Sequence, residues 1–162
     1  MNIMKREKEK VILSEEKDHK LATIDTITFV TFYLGNFLCG IPADIIMEIN
    51  KDTEITPVPL ADEFILGIMN LRGQIVTVMD LAKKVGLKEK IKPTVNLILK
   101  TEGEAPVSFV VERIGDILEV PVSKIEKPPE RIEGISKEYV KNVYQLPDKI
   151  LLIFDVDRLL KF

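Results

Sequence analysis

Few side chains in this sequence could do covalent or acid–base chemistry. There is one histidine, His19, and one cysteine, Cys39. A nucleophilic site needs a base held rigidly beside the nucleophile, and a transition-metal site draws on several imidazoles or thiolates. His19 lies in a charged segment with no framework to hold it, and a single thiol excludes an internal disulfide. The remaining chemistry would rest on carboxylates. Asp44 and Glu48 are four apart, and Asp155-Val156-Asp157 has the form of a two-carboxylate magnesium site; paired acids serve acid–base or Mg²⁺ chemistry. Residues 44 and 48 share a helical face only if a helix runs past Ile46, where the pattern turns to strand, and Asp155 stands where a helix cap is expected. The sequence therefore points away from an enzyme, and no cofactor or metal is expected.

The residues better suited to recognition lie elsewhere. In Asn70-Leu71-Arg72-Gly73 an arginine stands at a tight reversal between two apolar runs. Its guanidinium is a planar, always-charged fork that a carboxylate can meet with two hydrogen bonds, which lysine does not reproduce. Glu48 lies between Met47 and Ile49 on a short strand, so its side chain points away from theirs, toward solvent or a partner. It is a candidate to pair with Arg72 and orient the fork, a contact whose value is specificity rather than stability.

These residues belong to a chain of 162 residues that is 46% hydrophobic and 30% charged. That is an ordinary globular mixture for one domain or two small fused subdomains. The longest unbroken apolar run, Ile150 to Phe154, is far shorter than the roughly 20 residues of a spanning helix. With no signal-peptide core and one cysteine, the expectation is a cytoplasmic protein without direct membrane insertion. A net charge of −3 with interleaved signs is unlike a nucleic-acid binder. The absence of tryptophan and an aromatic content of 6% leave few stacking platforms for single strands. The segment from Met1 to Lys20 holds six basic and five acidic side chains, and residues 1–23 are read as a flexible tail.

From Thr26 onward the pattern is that of strands. Ile27 to Leu34 is rich in β-branched and aromatic residues, and Gly35-Asn36 is a two-residue hairpin signal. Pro42 suits the start of a single helical turn, and Ile46 to Ile49 reads as a short strand. Asp80 is an expected N-cap for a short helix, Leu81 to Val85, closed by Gly86. Further strands are expected over Thr94 to Lys100, Val107 to Val111 and Asp116 to Val120. Sliding the chain along itself without a gap lays Ile75-Val76-Thr77-Val78-Met79-Asp80-Leu81 on Ile150-Leu151-Leu152-Ile153-Phe154-Asp155-Val156, and the Arg72-Gly73 turn on Pro147-Asp148. Strand, turn and cap repeat together, which predicts a duplicated architecture of about five short strands per half. The expected division is one domain of two intertwined subdomains, approximately 24–90 and 91–162, each a small closed barrel without sticky edges.

Phe29-Val30-Thr31-Phe32, Gly40-Ile41, Glu48-Ile49, Pro57-Val58-Pro59, Gly67 to Gly73 and the two aligned strand-and-cap segments together resemble the CheW-like chemotaxis coupling domain, from about Thr26 to Phe162. Cys39 departs from the resemblance, standing where an aromatic is common. The resemblance implies two SH3-like five-stranded barrels around a shared core, without catalysis. It also implies a free-standing adaptor between the cytoplasmic tip of a methyl-accepting chemoreceptor and the regulatory domain of the chemotaxis histidine kinase. It places Ile46, Glu48, Arg72 and Ile114 at receptor contact and makes Asn70, Arg72 and Gly73 the coupling turn; a groove between the barrels, flanked by Ile46, Glu48 and Ile114, is the expected seat of a receptor helix.

Overall fold

The computed structural model describes residues 9–13, 22–51 and 54–162, with side chains from Asp25 onward. β1 (Glu9–Leu13) is followed by the long β2 (Ala22–Leu34), which Gly35-Asn36 folds back into β3 (Phe37–Pro42); Leu34 stands opposite Phe37 and Gly35 has φ 61°. Pro42 ends that strand and leads into one 3-10 turn, Ala43–Ile45, where its missing N–H costs nothing. β4 (Ile46–Asn50), β5 (Ile65–Leu71) and β6 (Gln74–Asp80) follow. Helix α1 (Leu81–Lys84) is capped by Asp80, whose carboxylate accepts from the Lys83 N–H at 3.3 Å. The scheme then runs again: the hairpin β7 (Val95–Leu99) and β8 (Val107–Val111), then β9 (Arg113–Pro121), β10 (Val140–Gln145), β11 (Ile150–Phe154) and α2 (Val156–Leu159). Asp155 caps α2 by accepting from the Arg158 N–H at 3.2 Å, which repeats the Asp80 contact at the aligned position of the second repeat.

The chain is mainly β, in two sheets. One follows β1-β2-β3-β11-β10 with β9 also on β2, and the other follows β4-β7-β8-β6-β5. Leaving β1 aside, the two share one plan. An antiparallel hairpin, β2–β3 or β7–β8, is completed by three strands taken from the other repeat, β9 to β11 or β4 to β6. The joints are parallel pairings, with Leu152 beside Cys39 in one sheet and Ser108 beside Val78 in the other. Single backbone bridges, Glu126 to Val143 and Thr56 to Ile68, bring the ends of each five-strand path together, as in a small SH3-like barrel. Gly67 has φ 145°, and a Cβ there would lie 2.1 Å from the Thr56 carbonyl oxygen, so only glycine lets that bridge approach β5.

Within residues 1–23, read as a tail, β1 pairs Glu9–Leu13 with Ala22–Thr26 of β2. β3 covers only Phe29 to Leu34, so the earlier part of β2 offers open backbone, and ladder bonds form whatever the charge of the side chains. Residues 1–8 and 14–21, including His19, lie outside the described residues. The halves 24–90 and 91–162 are also not the two barrels themselves, because each half sends its hairpin to one sheet and its three-strand unit to the other.

This exchange places the main core between the sheets. Phe32, Ile41 and Phe154 of one meet Met79, Leu97 and Phe109 of the other in a single buried cluster, with Phe32 and Phe154 at 6.0 Å between ring centroids. Smaller clusters fill each barrel, around Phe29, Val120 and Ile153 and around Val76, Val78 and Ile98. Each buried phenylalanine contributes about 1.5–3 kcal/mol over an exposed one. Cys39 is part of the central cluster, and burial pushes its thiol pKa far above the ordinary value, so it acts as a small core hydrophobe. Fragments 24–90 and 91–162 expressed separately are expected to lack dispersed amide resonances. Mixing them should restore the native spectrum, because each supplies the strands the other's hairpin needs; a folded isolated half would contradict the exchange.

Candidate functional site

The site is built on the β5–β6 hairpin. Leu71 pairs with Gln74, so Arg72 and Gly73 alone make the reversal, with φ 50° and 86°. Two successive positive φ values define the hairpin turn whose twist matches that of its strands. Gly73 meets nothing where a Cβ would be, whereas Arg72 holds a long side chain in a backbone region that disfavours one. Asn70 supports the turn, its Oδ1 accepting from the Gly73 N–H at 2.7 Å. The strained arginine is thereby held at the tip, with its side chain 72% exposed.

Nη2 of Arg72 forms an ion pair with Oε1 of Glu48, and Nδ2 of Asn50 donates to the other carboxylate oxygen at 3.0 Å. The hydrogen bond from Arg72, then that from Asn50, holds the Glu48 carboxyl below its ordinary pKa, and Glu48 raises that of Arg72 in return. Glu48 lies on β4 and Arg72 beside β5, the two ends of the strand path, so the pair spans the same closure as the Thr56–Ile68 bridge.

β4 alternates as expected but faces the other way. Met47 and Ile49 are the exposed side chains, at 40% and 42%, while Ile46, Glu48 and Asn50 are half-buried. Glu48 turns inward because Arg72 and Asn50 satisfy it there. A bulge between Ile46 and Glu48 sets this register against β7. The structure thus joins Glu48, Asn70, Arg72 and Gly73 into one constellation. Ile46 lies two residues before Glu48 on β4, in the same sheet, whereas Ile114 on β9 lies in the other sheet; each packs on the central core. Sequence reasoning missed Asn50 and the apolar side chains on offer: Met47, Ile49 and Ile75, the last 49% exposed beside Asn70 in a pocket of about 460 Å³. The alternation in Ile46-Met47-Glu48-Ile49-Asn50 signals two faces, though not which one is inward.

The carboxylates that an enzyme would need have other roles. Asp155 caps α2, Asp157 lies in its first turn, and Glu48 serves Arg72. Among the described residues no three His, Cys, Asp or Glu are grouped to hold a metal ion, and no helix is long and apolar enough to cross a membrane.

The model of the CheW-like domain matches residues 28–162, and the chain belongs to that family. The chemotaxis protein CheW of Treponema pallidum is 30% identical over 136 residues, covering 80% of this chain and 79% of that protein. The chemotaxis protein CheW of Klebsiella aerogenes is 31% identical over 134 residues, covering 82% of this chain and 80% of that one. The crystal structure of the scaffolding protein TtCheW from Thermoanaerobacter tengcongensis superimposes with a TM-score of 0.76 at 29% identity, covering 85% of this chain and 94% of that one.

A pH titration checks the pair. A carboxyl with a lowered folded pKa stabilises fully above its unfolded value, and that contribution is lost as pH falls through the folded value. Glu48 is expected to titrate below the ordinary glutamate range by carbon-detected NMR. Arg72→Ala should move its midpoint up, and the part of the acid-side fall in Tm that comes from Glu48 should become shallower. An unchanged Glu48 midpoint in Arg72→Ala would mean that the pair does not persist in solution.

Proposed function

We propose that this member of the CheW-like family is a non-catalytic chemotaxis adaptor coupling the cytoplasmic tips of chemoreceptors to the regulatory domain of the chemotaxis histidine kinase. The scaffold role in chemotaxis follows from family membership and from relatives named for it. Those relatives do not favour a nucleic-acid-binding barrel or a scaffold of another pathway. Recruitment to receptor arrays at the inner face of the membrane is part of the proposal.

The observation that carries the coupling assignment is the Arg72 tip. A long cationic side chain is held in a disfavoured backbone conformation, braced by Asn70 and paired with Glu48. Backbone strain of this kind persists where the surroundings enforce it, here the two-residue turn and the Asn70 brace. In this reading Ile46, Glu48, Arg72 and Ile114 contact the receptor, with the two isoleucines at the rims of the central core bordering a groove between the barrels. The apolar face of a receptor helix would enter that groove, and the arginine fork would meet a carboxylate on it. Separate barrel surfaces would dock the kinase's related domain, so that several weak contacts build an array.

Calorimetric titration against a receptor-tip fragment and the isolated kinase regulatory domain tests the assignment. Arg72→Glu is expected to weaken receptor binding about tenfold or more, the sign of a reversed interface charge, with Tm nearly unchanged. The exchange Glu48→Arg with Arg72→Glu keeps an ion pair but presents the wrong charge, and it should not restore binding. Folded wild-type protein that binds neither fragment would overturn the adaptor reading.

A further inference from the structure

Behind the Arg72–Glu48 pair, a line of hydrogen bonds leads into the interior of the barrel. Ser108, fully buried on β8, donates from Oγ to Oδ1 of Asn96 at 2.9 Å. Asn96, 2% exposed on β7, donates from Nδ2 to Oδ1 of Asn50 at 3.3 Å. Asn50 donates in turn to Oε2 of Glu48 at 3.0 Å, and Arg72 donates to Oε1. Every donor points the same way, toward the carboxylate. Aligned bonds polarise one another, and the last two end on a charge, where a hydrogen bond is strongest.

Asn96 and Ser108 are not the least costly way to fill this interior. Alternation along β7 and β8 puts them on the face of Ile98 and Val110, within the apolar cluster that also holds Val78. An apolar pair of the same shape is near-neutral or stabilising in such a place. The other barrel makes that choice. Asn50 stands opposite Asn96 where the other barrel has Leu118 opposite Phe29. Ser108 stands beside Val78 where the other has Gly40 beside Ile153, and Val78 and Ile153 occupy aligned positions of the internal repeat. Its hairpin tip carries Pro147-Asp148 in place of Arg72-Gly73. Within one duplicated molecule, the barrel with the arginine fork has the polar line, and the barrel without the fork has apolar residues or glycine at the same three positions.

We propose that Ser108, Asn96 and Asn50 are a positioning relay that fixes the Glu48 carboxylate and, through it, aims the Arg72 guanidinium at a carboxylate of the partner helix. The relay anchors Oε2 from inside the barrel, so Oε1 faces the hairpin tip. Among the described residues Glu48 engages only Nη2 of Arg72, and the remaining donors of the fork stay free for the partner. The aiming role rests on the adaptor reading of this tip; the geometric hold on Glu48 does not.

Asn50→Leu, which borrows the other barrel's residue, and Ser108→Ala in the full chain test the relay. Two NMR readouts report on it without any partner: the titration midpoint of the Glu48 carboxyl and the relaxation of the Arg72 side-chain Nε–H. Both variants are expected to stay folded with Tm within a few degrees of wild type. The Glu48 midpoint should move up toward the ordinary carboxylate range, and Arg72 should become more mobile. Affinity for the receptor-tip fragment should fall about fivefold, roughly the effect of one lost hydrogen bond. Arg72→Ala, measured alongside, judges the adaptor reading separately: if it binds the fragment like wild type, that reading fails while the NMR readouts still decide the relay. Folded variants whose Glu48 midpoint and Arg72 mobility match wild type would overturn it, leaving Ser108 and Asn96 as buried polar residues with no hold on the tip.

Discussion

Hairpin β2–β3 is completed by β11, which arrives from the far end of the chain and pairs in parallel with Leu38 to Gly40, while the strands that directly follow the hairpin leave for the other sheet. Hairpin β7–β8 receives β6 in the same way. A parallel pair cannot be closed by a tight turn and needs a long crossover. The crossover from β3 to β11 runs through every strand of the other sheet, whereas that from β6 to β8 runs through α1 and β7. The central core lies between the two sheets, where Phe32 and Phe154 of one share a buried cluster with Phe109 and Leu97 of the other. Neither half of the chain holds all five strands of either barrel, so each barrel is built from both halves.

The candidate site occupies the place where one of these barrels closes. Its strand path begins at β4 and ends at β5, and the ends are joined by one backbone bridge and by the Arg72–Glu48 pair. An ion pair this exposed adds little to stability in a screened, high-dielectric setting. What it gains from the location is a fixed frame, with Gly67 allowing the bridge, Asn70 holding the turn and a glycine at its second position. The duplicate site, built on the same plan with Pro147-Asp148 at its tip, lacks the fork. Duplication thus supplied two equivalent hairpins, and only one carries an arginine at its tip.

The second hairpin has chemistry of its own. Arg113 stacks on the Tyr33 ring at 3.7 Å, and Lys149, next to the Pro147-Asp148 turn, donates to the Tyr33 hydroxyl at 3.2 Å. That hydrogen bond raises the pKa of Lys149. The molecule therefore presents two different hairpin tips, an arginine bound to a carboxylate and a lysine bound to a phenol.

Features that depend on a few neighbouring residues were legible in the sequence. The Gly35-Asn36 and Arg72-Gly73 reversals, the Asp80 and Asp155 caps and the internal repeat each express a local rule: positive φ, free helix N–H groups, a period. The contact between Arg72 and Glu48 was legible as a possible pairing of fork and carboxylate, but which way Glu48 faced was not. Alternation separates two faces of β4 without saying which is inside, and that depended on Arg72 and Asn96 arriving from other strands. Asn96 and Ser108 read as ordinary strand residues, because a polar side chain shows its role only when its partners are known. The strand exchange and the pairing of β1 were decided by tertiary structure alone, since backbone pairing between distant segments leaves no local trace in residue type.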